Sequence, residues 1–112
     1  MTKQQFHLDS EALGLLGSVL NEVLNGFEIP EFDRKIGMKR GQLKELLKHL
    51  HTLPSRDTVT LDVQQTYAFR NALSETIREL GAEEFHIRTG YDFDLGNAFL
   101  ERLNQLLGSK EL

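Results

Sequence analysis

The sequence predicts a mainly α-helical single domain, α+β if its two short strands are counted, built from two copies of a strand–helix–short helix–helix unit. Three observations predict it. The chain matches itself at an interval of 53 residues, apolar residues recur at steps of three and four, and glycines fall where the helices so defined should stop.

The repeat is the strongest of the three. Without a gap, ten identical pairs align between Leu8 and Leu53 and their partners, among them Asp9/Asp62, Glu22/Glu75, Phe32/Phe85, Gly37/Gly90 and Leu50/Leu103. Conservative pairs such as Leu16/Phe69, Leu24/Ile77, Lys35/Arg88 and Leu46/Phe99 keep the same apolar spacing. An ancestral duplication accounts for both. The expected organisation is one domain over residues 1–112, with repeats 5–53 and 58–107 joined by a linker at 54–57. Each half alone holds about 50 residues, near the limit at which a core sustains itself. The halves are therefore expected to pack on each other with pseudo-twofold symmetry, their strands pairing in the middle.

Within the first half, "QFHL" alternates as a strand should, and Asp9 or Ser10 suits a helix N-cap. Ala12, Leu15, Leu16, Val19, Leu20, Val23, Leu24 and Phe27 then form one helical face, and Gly26 suits its end. Pro30 suits the first turn of a short helix through Ile36, closed by Gly37. A last helix turns Leu43, Leu46, Leu47 and Leu50 inward. The second half repeats this with "TVTL", the Asp62 cap, a face of Phe69, Ala72, Leu73, Thr76, Ile77 and Leu80, a stop at Gly81, a short element from Phe85 to Gly90, and a helix lined by Phe99, Leu100, Leu103, Leu106 and Leu107.

The shared "EF…G" frame reads as an architectural corner. Phe32 and Phe85 are its buried anchors, while Gly37 and Gly90 supply a positive φ. Glu22 and Glu75 interrupt apolar faces, and Lys35 and Arg88 are equivalent cations. Two equivalent ion pairs are expected, Glu22 with Lys35 and Glu75 with Arg88. The competing reading places Glu22 and Glu75 together across the twofold as an acid/base or metal site. No Glu-x-x-His spacing of the kind that helical-bundle metal sites use accompanies them.

Residues 31–48 resemble a helix-turn-helix. Phe32 and Ile36 precede the turn, Gly37 lies in it, and Met38, Leu43 and Leu46 follow. The resemblance implies DNA contact by Lys39, Arg40 and Lys44 at the start of the second helix. Asp33 stands where such units use a small residue, and the second half puts Asp92 and Asp94 where cations are needed and Gly96 where an apolar residue belongs. Carboxylates repel phosphate, and a net charge of −4 opposes the electrostatic term that dominates nonspecific DNA affinity. Only the corner is common to both halves, so architecture is preferred over DNA contact.

Other functions narrow by residue type. The chain has no cysteine, which excludes disulfides, thiolate nucleophiles and zinc–thiolate sites and agrees with a cytoplasmic setting and a bacterial style of protein. No stretch of roughly 18 apolar residues exists to span a membrane, and "MTKQQFHLDSEALGLL" carries no secretory signal pattern. His49 and His51 are two apart and diverge on a helix, and "DFDLG" lacks the later ligands of a calcium loop. No phosphate-cradling or nucleophile motif occurs, so neither a cofactor nor a metal is expected.

Two features point to a protein partner, another protein or a second copy. Gly14, Gly17 and Ser18 break the first long helix, although each interior glycine costs roughly 1 kcal/mol relative to alanine. The counterparts of the two glycines are Tyr67 and Arg70, so the duplicated core does not require them. They suit either close packing by the second half or a homodimer interface. The second half is also acidic, with Glu79, Glu83, Glu84, Asp92 and Asp94 able to face a basic partner. The expected role is a non-enzymatic interaction or regulatory module. A DNA-binding regulator is the first alternative, and a small enzyme with a site between the halves the second.

Overall fold

The structure is a computed structural model that describes residues 5–52 and 59–111. The linker read at 54–57 lies outside the described residues, as do Leu53 and Thr58 at its flanks. In order, the elements are β1 (Gln5–Leu8), α1 (Ser10–Asn21), a π-helical turn (Glu22–Gly26), α2 (Phe32–Ile36), α3 (Arg40–His51), β2 (Val59–Asp62), α4 (Val63–Thr89) and α5 (Phe93–Glu111). The chain is mainly helical, as expected, and β1 and β2 form one antiparallel ribbon.

Local chemistry sets the helix starts. Asp9 precedes α1 with φ −80° and ψ 179°, and its Oδ1 accepts the Ala12 N–H at 2.9 Å. Asp62 precedes α4 with φ −78° and ψ 178°, and its Oδ1 accepts the Gln65 N–H at 2.7 Å. Gln65 returns the bond by accepting the Asp62 N–H, which completes a capping box. The ribbon pairs Phe6 with Leu61 and His7 with Thr60. Alternation buries Phe6, Leu8 and Leu61 and exposes His7 and Thr60, whose side chains share a 3.0 Å hydrogen bond.

The core lies between α1 and α4, with α3 packed on α1 and α5 on α4. The face predicted for α1 is buried from Ala12 through Leu24, and Phe27 is half-buried. Leu43, Leu46 and Leu50 of α3 and Phe99, Leu103 and Leu107 of α5 are also buried. A radius of gyration of 13.2 Å matches that of a single folded domain of this length.

Both corners form as read. Gly37 (φ 87°) and Gly90 (φ 81°) adopt the left-handed conformation, and Phe32 and Phe85 are buried. The two routes into the corners differ. The first half runs irregularly from Phe27 to Glu31, whereas α4 bends at Gly81 (φ 73°, ψ 179°) and resumes as helix through 82–89. That backbone pairing is essentially confined to glycine. Pro30 lies two residues ahead of α2 instead of in its first turn, and Glu31 takes the intervening left-handed position at φ 55°. The final helix continues to Glu111, beyond the repeat boundary at 107.

Candidate functional site

The structure rewrites the expected ion pairs. Glu22 does not meet Lys35; it meets Arg88 from the other half, with Arg88 Nε 3.0 Å from Glu22 Oε1. Lys35 makes no ion pair among the described residues, and Glu75 turns to Arg78 one helical turn away. Glu22 and Glu75 therefore do not converge as an acid/base pair. The Glu22 side chain is 9% exposed, yet its Oε1 accepts no hydrogen bond, so the attraction to Arg88 is electrostatic without hydrogen-bond alignment. Gly26 makes room for the arrangement. A Cβ there would stand 2.4 Å from Glu22 Oε1 and 2.9 Å from Arg88 Nη2.

Helix termination explains the positions of two arginines. The end of the π-turn leaves carbonyls without helical donors. Arg88 Nη2 donates to Gly26 O at 3.1 Å, and Arg40 Nη1 donates to Leu24 O at 2.7 Å. The Arg40 guanidinium also lies 4.4 Å from the centroid of the Phe32 ring, a cation–π contact. Arg40 is thus engaged in holding the first corner. Lys39 and Lys44, the other residues aligned with DNA contact, are exposed and form no ion pair among the described residues.

The three small residues of α1 line one groove but differ in what lies over them. The hydroxyl of Tyr91, from the second half, fills the space over Gly14, where a Cβ would fall 2.1 Å away. Gly17 faces open space and, with Ser18, Leu13, Asn21, Leu50 and His51, lines a shallow groove of about 440 Å³. One glycine serves internal packing, and the other does not. Gly17→Ala is consequently expected to stabilise the isolated chain by about 0.5–1 kcal/mol, read as a raised urea midpoint, because helix propensity improves and no atom obstructs the methyl.

Of the clefts lined by residues of both halves, two answer to each other, and a third, about 260 Å³, lies between Glu11 and Leu95, Ala98, Phe99 and Arg102. One of the two, about 330 Å³, is lined by Met38, Leu46 and His49 of the first half and Asp62 and Gln65 of the second. The other, about 190 Å³, is lined by Leu8, Asp9 and Ala12 of the first and Phe99, Arg102 and Leu103 of the second. Their carboxylates are employed elsewhere: Asp9 and Asp62 cap helices, and Glu45 beside the first cleft pairs with Lys48 at 3.7 Å. No group of three His, Asp or Glu among the described residues is arranged to hold a metal ion.

The acidic side chains gather around the second corner. Glu79, Glu83, Glu84, Asp92 and Asp94 are all exposed, with His86 Nδ1 3.4 Å from Asp92 Oδ1. Ile87, 65% exposed, is the one large hydrophobic side chain in solvent among the described residues. Glu83, Glu84 and Ile87 are three and four apart, which puts them on one helical face. Ile87 went unnoticed in the sequence. It could have been found, because two residues on from the buried Phe85 is the far side of a helix.

No family model matches the chain, and no curated protein or solved structure matches it either. No helix among the described residues is long and apolar enough to cross a membrane.

Proposed function

We propose that the chain is a non-enzymatic protein-interaction module, working in the cytoplasm, whose docking surface is the acidic face of the second corner with Ile87 at its centre. The observation that carries this reading is the exposure of Ile87 on the helical face it shares with the exposed Glu83 and Glu84. An apolar side chain left in water gains by burial against a partner, while surrounding charges steer encounter and select a basic surface. The neutral groove at Gly17 is a secondary contact region on this reading, supported by a glycine that the internal packing does not use.

The same reading takes the module to be a duplicated unit with pseudo-twofold symmetry. Support comes from several places at once. His7 and Thr60 are equivalent residues and pair with each other, so the ribbon register is unchanged when the halves are exchanged. The Asp9 and Asp62 caps agree in backbone angles to within 2°. The clefts repeat as well, with Asp9, Phe99 and Arg102 in one answering to Asp62, Leu46 and His49 in the other.

Paired baits test the docking surface. The tagged chain should retain a protein that presents a basic surface, in a salt-sensitive manner, and Ile87→Asp or Glu83→Gln/Glu84→Gln should weaken that retention at least about tenfold, the scale of losing an interface anchor. Retention indifferent to these substitutions would overturn the reading. So would salt-sensitive DNA binding abolished by Lys39→Glu, which would establish the helix-turn-helix alternative.

A further inference from the structure

We infer that the partner of the Ile87 face is the first corner of a second copy of this chain, so that copies associate head to tail. This rests on the docking surface proposed above and names its occupant. Two stretches that align at the 53-residue interval differ in charge. Residues 28–48 carry six Lys and Arg against four Asp and Glu, whereas their counterparts 81–101 carry one against five. One corner is cationic and the other anionic on the same scaffold.

Pairing within the chain sharpens the contrast. At the first corner Arg40 is engaged with Leu24 O and Phe32, and Arg34 pairs with Glu31. That leaves Lys39 and Lys44 exposed without an ion pair among the described residues. At the second corner Glu83, Glu84 and Asp94 are exposed and likewise form no ion pair among the described residues. Glu28 and Asp33 are exposed at the first corner too, but that stretch keeps its excess of six cations over four anions, opposite the one against five of the second. Gly41, between Lys39 and Lys44 in the sequence, is exposed, with nothing within 4 Å of where its Cβ would be. On this reading Ile87 of another copy packs at Gly41 against the aliphatic stems of the two lysines. The position of Ile87 in the first repeat is held by Arg34, so the anchor exists on one corner only. A surface that meets a different surface does not close on itself as a twofold dimer does. Assembly proceeds from copy to copy.

Sedimentation velocity of the full chain decides it. At about 20 mM salt, where screening reaches only beyond roughly 20 Å, the weight-average mass should climb to at least about twice the monomer as protein is raised to about 0.5 mM, and at about 500 mM salt it should return to the monomer. Ile87→Asp alone and Lys39→Glu/Lys44→Glu alone should each stay monomeric with unchanged helical circular dichroism. An equimolar mixture of these two variants should form a dimer and nothing larger, because only one intact corner of each kind remains. A wild-type chain monomeric throughout would overturn the self-partner while leaving the paired-bait result to judge the docking surface separately. Association that survives either variant, or a mixture that fails to dimerise, would overturn it equally.

Discussion

Phe85→Ala is expected to lower the unfolding free energy by about 3–5 kcal/mol, the range for removing a fully buried phenylalanine ring. Urea titration should show this as a displaced midpoint at an unchanged slope. The ring is 0% exposed and meets Phe93 edge-on at 5.8 Å. It also lies directly against Gly96, where an added Cβ would stand 2.7 Å from the ring. Gly96 has no side chain to collapse into the vacated space, and Phe93 touches only the ring's edge, so most of the cavity persists. Phe32→Ala should cost less, about 2–3 kcal/mol, because Phe32 retains 8% exposure and the equivalent of Gly96 is the buried Leu43. Equal losses at the two corners would show that the glycine does not govern the difference.

Arg88→Met should destabilise by about 2–3 kcal/mol, somewhat below the 3–5 kcal/mol seen when a fully buried pair loses one member. The reduction follows from Arg88 being 36% exposed, so water already screens part of the attraction. The loss has two sources, a buried Glu22 carboxylate without its counter-charge and a Gly26 carbonyl without its donor. Adding Glu22→Gln to Arg88→Met should recover part of it, since the unpaired charge is then gone. A thermodynamic cycle through both single variants and the double variant gives the coupling. A coupling near zero would mean that Arg88 acts only as a helix terminator.

The contrast between what could and could not be read beforehand follows interaction range. The Asp9 and Asp62 caps, the buried helix faces and the two left-handed glycines depend on residues within a few positions of one another, and all formed as expected. The partner of Glu22 did not. Lys35 and Arg88 align at the 53-residue interval, so the sequence pattern permits a pair with either, and only packing selects Arg88. Arg40 misled for a related reason. Its position at the head of a helix suggests groove contact, but the carbonyl it satisfies, Leu24 O, belongs to a π-turn 16 residues earlier that no local periodicity announces. The bend at Gly81 was seen as a stop, and the chain instead resumes helix at once because glycine can take a backbone geometry that others avoid. Ile87 was legible and overlooked.

The ribbon carries a kinetic consequence. His7 and Thr60 are 53 positions apart, so drawing them together closes a long loop at an entropic cost of about 3.5 kcal/mol. Two four-residue strands cannot meet that cost alone. The ribbon must zip up after α1 has docked against α4, or together with it, and β pairing thus becomes the latch on a helical collapse instead of its nucleus. Melting of ribbon and helices should for that reason coincide in a single transition.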